Sequence, residues 1–367
     1  MTTTQSTAAQ TTRAWLDIDL GALVRNGAAL ARHAGVPLVP MVKADAYGLG
    51  AVACARALEA LDPHGFGVAT VTEAEELRAA GIARRVFVFS PLLPVVVAAA
   101  RAAQVIPPLG DAAAIAAWGQ GGGGAWHLAI DTGMHRAGIR WDAIGQVADL
   151  VREHPPEGAF THFHSAERND GSWQAQEDRF RAALAVLPAM PRYLHAQNSA
   201  GIVRRTPSPW SFVRPGVFLY GVGSADGAGL YPEPVVHLRA RVLELHDLQD
   251  GDTVSYSATW RSVGARRVAT LGVGYADGYR RALGNRGAAL LHGVRTTVAG
   301  VVTMDMTMID VTDMPCAPGD VVTLMGRDGE QCISVEDVAT VADFMSPYEV
   351  LTGLRQRLPR LYRESLS

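Results

Sequence analysis

The sequence predicts an α/β protein: an N-terminal (β/α)8 TIM-like barrel followed by a C-terminal mostly-β domain. Two patterns carry that prediction. Up to about residue 223, short apolar runs alternate with amphipathic stretches rich in Ala, Leu and Arg, the rhythm of parallel strands and crossover helices. Beyond about residue 232 the character changes. β-branched runs follow one another at hairpin intervals, separated by Gly, Asp and Pro. The expected division is a disordered leader at 1–13, a barrel at 14–232 and a β-rich domain at 233–367.

The leader is rich in Thr, Gln and Ala. It lacks a basic start and an apolar run, so it does not read as a secretion signal. Eight apolar runs then stand at 36–44, 65–70, 85–90, 104–107, 126–131, 158–164, 192–196 and 213–220. Helical patterns lie between many of them, at 51–61, 73–80, 142–153 and 174–187. Eight such units close a barrel; an open doubly wound sheet is the structural alternative. Four consecutive glycines at 121–124 read as a flexible loop before a strand. In the second half the strand signals fall at 236–245, 266–273, 296–302, 306–311 and 320–324, with short helices at 334–342 and 350–355.

Composition narrows the function. Hydrophobic residues make up 48% of the 367 and charged residues 19%, enough apolar matter for a large core. The formal net charge is −3 with no basic run, which argues for a small-molecule ligand over nucleic acid. No apolar stretch approaches the roughly 18 residues of a membrane span, and a cytoplasmic location is expected by default. Cys54, Cys316 and Cys332 are too few and too scattered for a disulfide framework or a zinc site, and read as free thiols. No metal is expected.

The strongest local signal is Lys43 within Met41-Val42-Lys43-Ala44-Asp45-Ala46-Tyr47-Gly48-Leu49-Gly50. An ammonium at the carboxyl end of a buried strand is costly to desolvate. A Schiff base, in which an amine of lowered pKa condenses with an aldehyde, would account for it. A lysine snorkelling at the barrel rim would account for it equally well.

The whole decapeptide resembles the pyridoxal 5′-phosphate motif of alanine racemases, a fold-type III family. Further stretches resemble that family in its own order: 131–138 (DTGMHRAG), 195–200 (HAQNSA), 214–221 (RPGVFLYG), 254–259 (VSYSAT), 274–278 (GYADG), 304–310 (MDMTMID) and 346–350 (SPYEV). The resemblance implies a racemase that interconverts L- and D-alanine and so supplies D-alanine for peptidoglycan. It places the cofactor on Lys43, which also serves as the base on one face of the substrate. Tyr256 is the base on the other face, contributed by the partner of a homodimer. Two bases on opposite faces racemise without turning the substrate over.

By the same resemblance His162 and Arg214 support Tyr256, and Arg214 faces the ring nitrogen of the cofactor. Arginine does not give up its proton at working pH, so that nitrogen stays unprotonated and side reactions are limited. Tyr47, Ser199, Gly216, Val217 and Tyr348 hold the phosphate, and His195 completes the cofactor-binding set. Arg136 faces the phenolic oxygen of the cofactor and the substrate. Met304 adds a substrate contact from the partner, and Tyr275 lies at the substrate entrance.

Three positions and one stretch depart from the family pattern. Ala129 stands where many members carry a lysine, so Arg136 is expected to face a bound anion such as chloride or a carboxylate from elsewhere. Thr303 replaces a frequent cysteine and His135 a frequent glycine, and 164–168 differ. These bear on substrate identity more than on reaction type. A serine-preferring or broad-specificity racemase and a fold-type III decarboxylase are the alternatives. Arg214, where a decarboxylase would carry an acidic residue, speaks against the last.

Overall fold

The computed structural model describes residues 12–223 and 229–366. Residues 1–11 of the expected leader lie outside the described residues.

Eight parallel staves close a ring. Six contain regular strands: Phe66–Val68, Val86–Val88, Val105–Ile106 continued by Pro108–Leu109, His127–Asp131, Gly158–Phe160 and Tyr193–His195. The first and last staves are bridges only. Leu38 pairs with Val213 and Met41 with Gly67, while the Val39 and Met41 amides donate to the carbonyls of Val213 and Pro215. The seam shuts where the Ser211 amide donates to Leu194 O and the Arg214 amide to Gln197 O. Prolines explain the broken ladders, because Pro37, Pro40, Pro107 and Pro215 have no amide hydrogen to donate. The barrel therefore replaces the open-sheet alternative.

The strand Ala14–Asp19 does not begin the barrel, where the expected division put it. It runs antiparallel to Val236–Leu248 and parallel to Arg360–Arg363 in a nine-stranded sheet. All six of its residues are buried, so both faces of the sheet are covered at this strand. Asp19 then caps the helix Leu20–Ala34 by accepting the Ala22 amide at 2.7 Å, and Gly35 ends it in the left-handed region. That helix delivers the chain to the first stave.

The C-terminal half is built on the same sheet. The strand expected at 296–302 is instead Val294–Thr297, paired with Ala288–Leu291 across a tight turn at His292-Gly293. Gln331–Ile333 and Arg360–Arg363 are further strands without an expected counterpart. Helices Val335–Val341 and Pro347–Thr352 each start with a capping box, Ser334 with Asp337 and Ser346 with Glu349. Among the described residues no helix is long and apolar enough to cross a membrane.

Candidate active site

A cavity of about 620 Å3 opens at the carboxyl ends of the staves, the end at which barrels of this kind build their sites. Its wall takes residues from just past successive strands: Met41 and Lys43, Ala69, Phe89, Gly110, Asp131, His162, Ser199 and Arg214.

Lys43 enters this cavity from an unusual turn. The four residues after it, Ala44 to Tyr47, all have φ between 52° and 58° and trace a left-handed turn without a glycine. Such a turn costs about 1–2 kcal/mol per residue, so its surroundings must impose it. Glu73 Oε1 accepts the Ala44 amide at 2.8 Å, Asp45 Oδ1 accepts the Ala51 amide at 2.7 Å, and the Gly50 amide returns to Asp45 O. Arg360 holds the Gly48 carbonyl from the C-terminal strand. Burial first, and then the Arg136 guanidinium, lower the Lys43 amine below its ordinary value, and Arg214 adds to this. Lys43 has no hydrogen bond or ion pair among the described residues. It is also the single lysine of the chain: every other member of the 33 lysine-plus-arginine residues is arginine. That singularity is legible in the sequence alone.

Arg214 forms the back wall. It is buried, and its Nη2 donates to Thr161 O at 2.9 Å and Ala196 O at 3.2 Å and lies 3.3 Å from His162 Nδ1. Its Nη1 meets His195 Nδ1. Because a guanidinium only donates, both imidazole nitrogens must accept, so both rings are neutral. Burial and Arg214 push His162 down to about 3 and His195 well below its ordinary value. Burial likewise lowers Arg214 to about 9, which leaves it charged at neutral pH. Phe89 and Phe160 lie across the guanidinium, each 5.4 Å from its carbon. His195 does not line the cavity; it stands behind Arg214 and acts through it.

At the other end, Tyr47, Ser199, Gly216, Val217 and Tyr348 come together. The Gly216 amide donates to Ser199 Oγ at 2.8 Å, and the Tyr47 and Tyr348 rings lie 6.0 Å apart. A Cβ on Gly216 would stand 2.5 Å from Tyr47 Oη, so only glycine lets the backbone come this close. Burial raises the Tyr47 phenol and keeps it a donor.

These residues fit pyridoxal phosphate. The hydroxyls of Tyr47, Ser199 and Tyr348 with the tight backbone at Gly216 suit a phosphate, the desolvated Lys43 suits an aldehyde, and Arg214 offers a fixed cation. Arg136 lines the same cavity beside Ala129. It has no ion-pair partner among the described residues, so the carboxylate expected in place of the missing lysine is not found there.

Three expected residues stay outside. Tyr256, Tyr275 and Met304 do not line the cavity and are 67%, 37% and 53% exposed. They sit on neighbouring turns of the β-rich half: the Tyr275 amide donates to Thr303 O, the Ala276 amide to Met304 O, and Ser255 Oγ to Val301 O.

Comparison with known proteins follows this geometry. The family model for the alanine racemase N-terminal domain matches residues 18–224, and that for its C-terminal domain matches 235–362. An alanine racemase of Sorangium cellulosum is 36% identical over 352 residues, covering 88% of this chain and 91% of the relative. The crystal structure of alanine racemase from E. faecalis superposes with a TM-score of 0.89 at 32% identity, over 96% of this chain and 98% of that one. Alanine racemase from Bartonella henselae with covalently bound pyridoxal phosphate gives 0.87 at 28% identity, over 96% and 100%. With both halves matched in order along one fold, the chain belongs to the alanine racemase family.

Proposed function

We propose that this protein is a pyridoxal phosphate-dependent racemase that interconverts L- and D-alanine. The observation that carries the reading is the pairing of the single lysine, desolvated on a strained turn, with a buried arginine in one cavity. When bound to Lys43, pyridoxal phosphate supplies the electron sink that makes an α-hydrogen acidic. Tyr47, Ser199, Gly216, Val217 and Tyr348 would hold its phosphate, Arg136 its phenolic oxygen and Arg214 its ring nitrogen. Lys43, its amine lowered by burial and by Arg136, would move a proton at Nζ on one face of the substrate. The Arg214 guanidinium would hydrogen-bond the ring nitrogen but keep its own proton at working pH, leaving that nitrogen unprotonated. The same donor set disfavours the decarboxylase alternative, and the relatives named alanine racemase do not favour the serine-preferring one. D-alanine made in this way is a peptidoglycan precursor.

The opposite-face base in this reading is Tyr256 of a second copy, with Tyr275 and Met304 beside it. Their exposure on adjoining turns, away from their own cavity, supports a homodimer with shared sites. Racemisation of L-alanine in D2O tests the first part. D-alanine carrying deuterium at the α-carbon is expected, and is lost in Lys43→Ala; no α-proton exchange by the cofactor-loaded protein would overturn it. Mixing inactive Lys43→Ala and Tyr256→Phe subunits tests the second. About a quarter of wild-type activity is expected after full exchange, from the one intact site per mixed dimer in a statistical mixture. No recovery despite proven exchange would refute sharing.

A further inference from the structure

Behind Arg214 a chain of buried polar groups continues down the barrel, away from the cavity. His195 Nε2 lies 2.8 Å from His127 Nδ1, and both rings are almost wholly buried. His127 Nε2 has no hydrogen-bond partner among the described residues, and Glu157 places Oε2 4.0 Å away while paired with Arg85. The rings are clamped by aromatics: Phe160 stacks on His195 at 4.9 Å with 7° between planes, Phe212 stacks on its other neighbourhood at 4.3 Å, and Phe87 meets His127 at 5.3 Å. Neither imidazole can turn away without breaking that packing.

The direction of the chain follows from chemistry alone. Arg214 has only donors, so His195 must accept at Nδ1 and carry its proton at Nε2. His127 must then accept at Nδ1 and carry its proton at Nε2. Without an acceptor at His127 Nδ1, the His195 Nε2–H is buried and unsatisfied. Arg214 would still set the tautomer, but the ring would lose the hydrogen bond that fixes its angle against the guanidinium. The guanidinium would then lose the contact that orients its Nη1.

We infer that His127 is a positioning residue for the reaction: by accepting from His195 Nε2–H it fixes the ring whose tautomer Arg214 sets, and through that ring the orientation of Arg214 at the cavity wall. The kinetic consequence rests on the racemase reading; the tautomer does not.

The test uses the cofactor-loaded, full-length protein with 15N-labelled histidine rings. Long-range 1H–15N spectra report which ring nitrogen carries the proton, and His127→Asn and His195→Asn identify the signals. His195 and His127 are both expected as the Nε2–H form, unchanged from pH 6 to 8. His195 protonated at Nδ1, or doubly protonated, would overturn the inference whatever the kinetics of the variants. In kinetics, His127→Phe keeps the ring volume and removes the acceptor. It is expected to lower kcat about tenfold, the worth of one buried hydrogen bond, with KM changed less than about twofold. His127→Asn returns an acceptor near the Nδ1 position and recovers most of the loss. A folded His127→Phe protein with kcat within about twofold of wild type would refute the positioning role. Absence of alanine racemisation by the unaltered protein would instead sink the racemase reading and leave the tautomer result to stand.

Discussion

Gly216→Ala isolates one contact at the phosphate end of the cavity. The added Cβ would sit 2.5 Å from Tyr47 Oη, 3.4 Å from Tyr47 Cζ and 3.8 Å from Met41 Cβ. An ordinary carbon–oxygen contact is about 3.3 Å, so the overlap is roughly 0.8 Å and falls on one atom. Tyr47 cannot step back, because its ring is 6% exposed and lies 4.8 Å from Tyr220. Overpacking of this kind costs about 1–3 kcal/mol, partly as lost stability and partly as displacement of the Tyr47 hydroxyl.

Removing that hydroxyl should remove most of the cost. In Tyr47→Phe the nearest remaining atom to the new Cβ is Cζ at 3.4 Å, an ordinary contact. The two substitutions should therefore be strongly non-additive, with a coupling of about 1–2 kcal/mol in a double-mutant cycle. Cofactor affinity by absorbance titration and unfolding in urea are the two readouts. Gly216→Ala alone should weaken the cofactor by about tenfold or more, and the double variant should bind no worse than Gly216→Ala. Additive losses in both readouts would show that Gly216 is not required by its closeness to Tyr47.

Two further outcomes follow from buried charge. His127, His162 and His195 are held neutral below their ordinary value, the first two down to about 3. Below pH 6.5 the unfolded chain therefore binds protons that the native one does not, and stability falls by about 1.4 kcal/mol per pH unit for each histidine. The urea midpoint should drop between pH 7 and 5 and be flat between pH 7.5 and 8.5; no drop in the acid range would contradict neutral rings. Asp277, with its side chain 2% exposed, is paired to Arg13 at 3.3 Å and Arg357 at 3.2 Å, and its Oδ2 accepts the Gly274 amide at 2.9 Å. Asp277→Asn should cost about 2 kcal/mol, the usual penalty for breaking a buried pair reduced because both arginines are partly solvated. Loss of less than about 0.5 kcal/mol would show that the turn bearing Tyr275 does not depend on this network.

The parts of the fold legible in the sequence are those whose partners are near in the chain. Each strand and its following helix bury one apolar face locally, so the rhythm from residue 36 to 220 gives eight staves even where prolines break the ladder. The strand Ala14–Asp19 was misplaced because nothing local distinguishes it. Its partners are Val236–Leu248 and Arg360–Arg363, so its membership is decided more than 200 residues away. The left-handed turn at Ala44–Tyr47 was invisible for the opposite reason. Apart from Asp45 its residue types do not favour positive φ, and the conformation is held by Glu73 and Arg360, which nothing local in the sequence connects to it.

The cavity residues, by contrast, were read from motifs, and Lys43, Tyr47, Arg136, His162, Ser199, Arg214, Gly216, Val217 and Tyr348 share one cavity. Tyr256, Tyr275 and Met304 carry the same kind of motif signal and yet point to solvent. Their turns are pinned by backbone bonds between Tyr275 and Thr303 and between Ala276 and Met304, so they are not free to fold into the cavity of their own chain. Large apolar side chains fixed on an open surface are a poor use of burial energy unless a second surface covers them. The turn after Lys43 is held by its own chain, through Glu73 and Arg360, and needs no second copy. The exposure of Tyr256 is different: it is unfavourable in the isolated chain and would be relieved if a second copy closed over it.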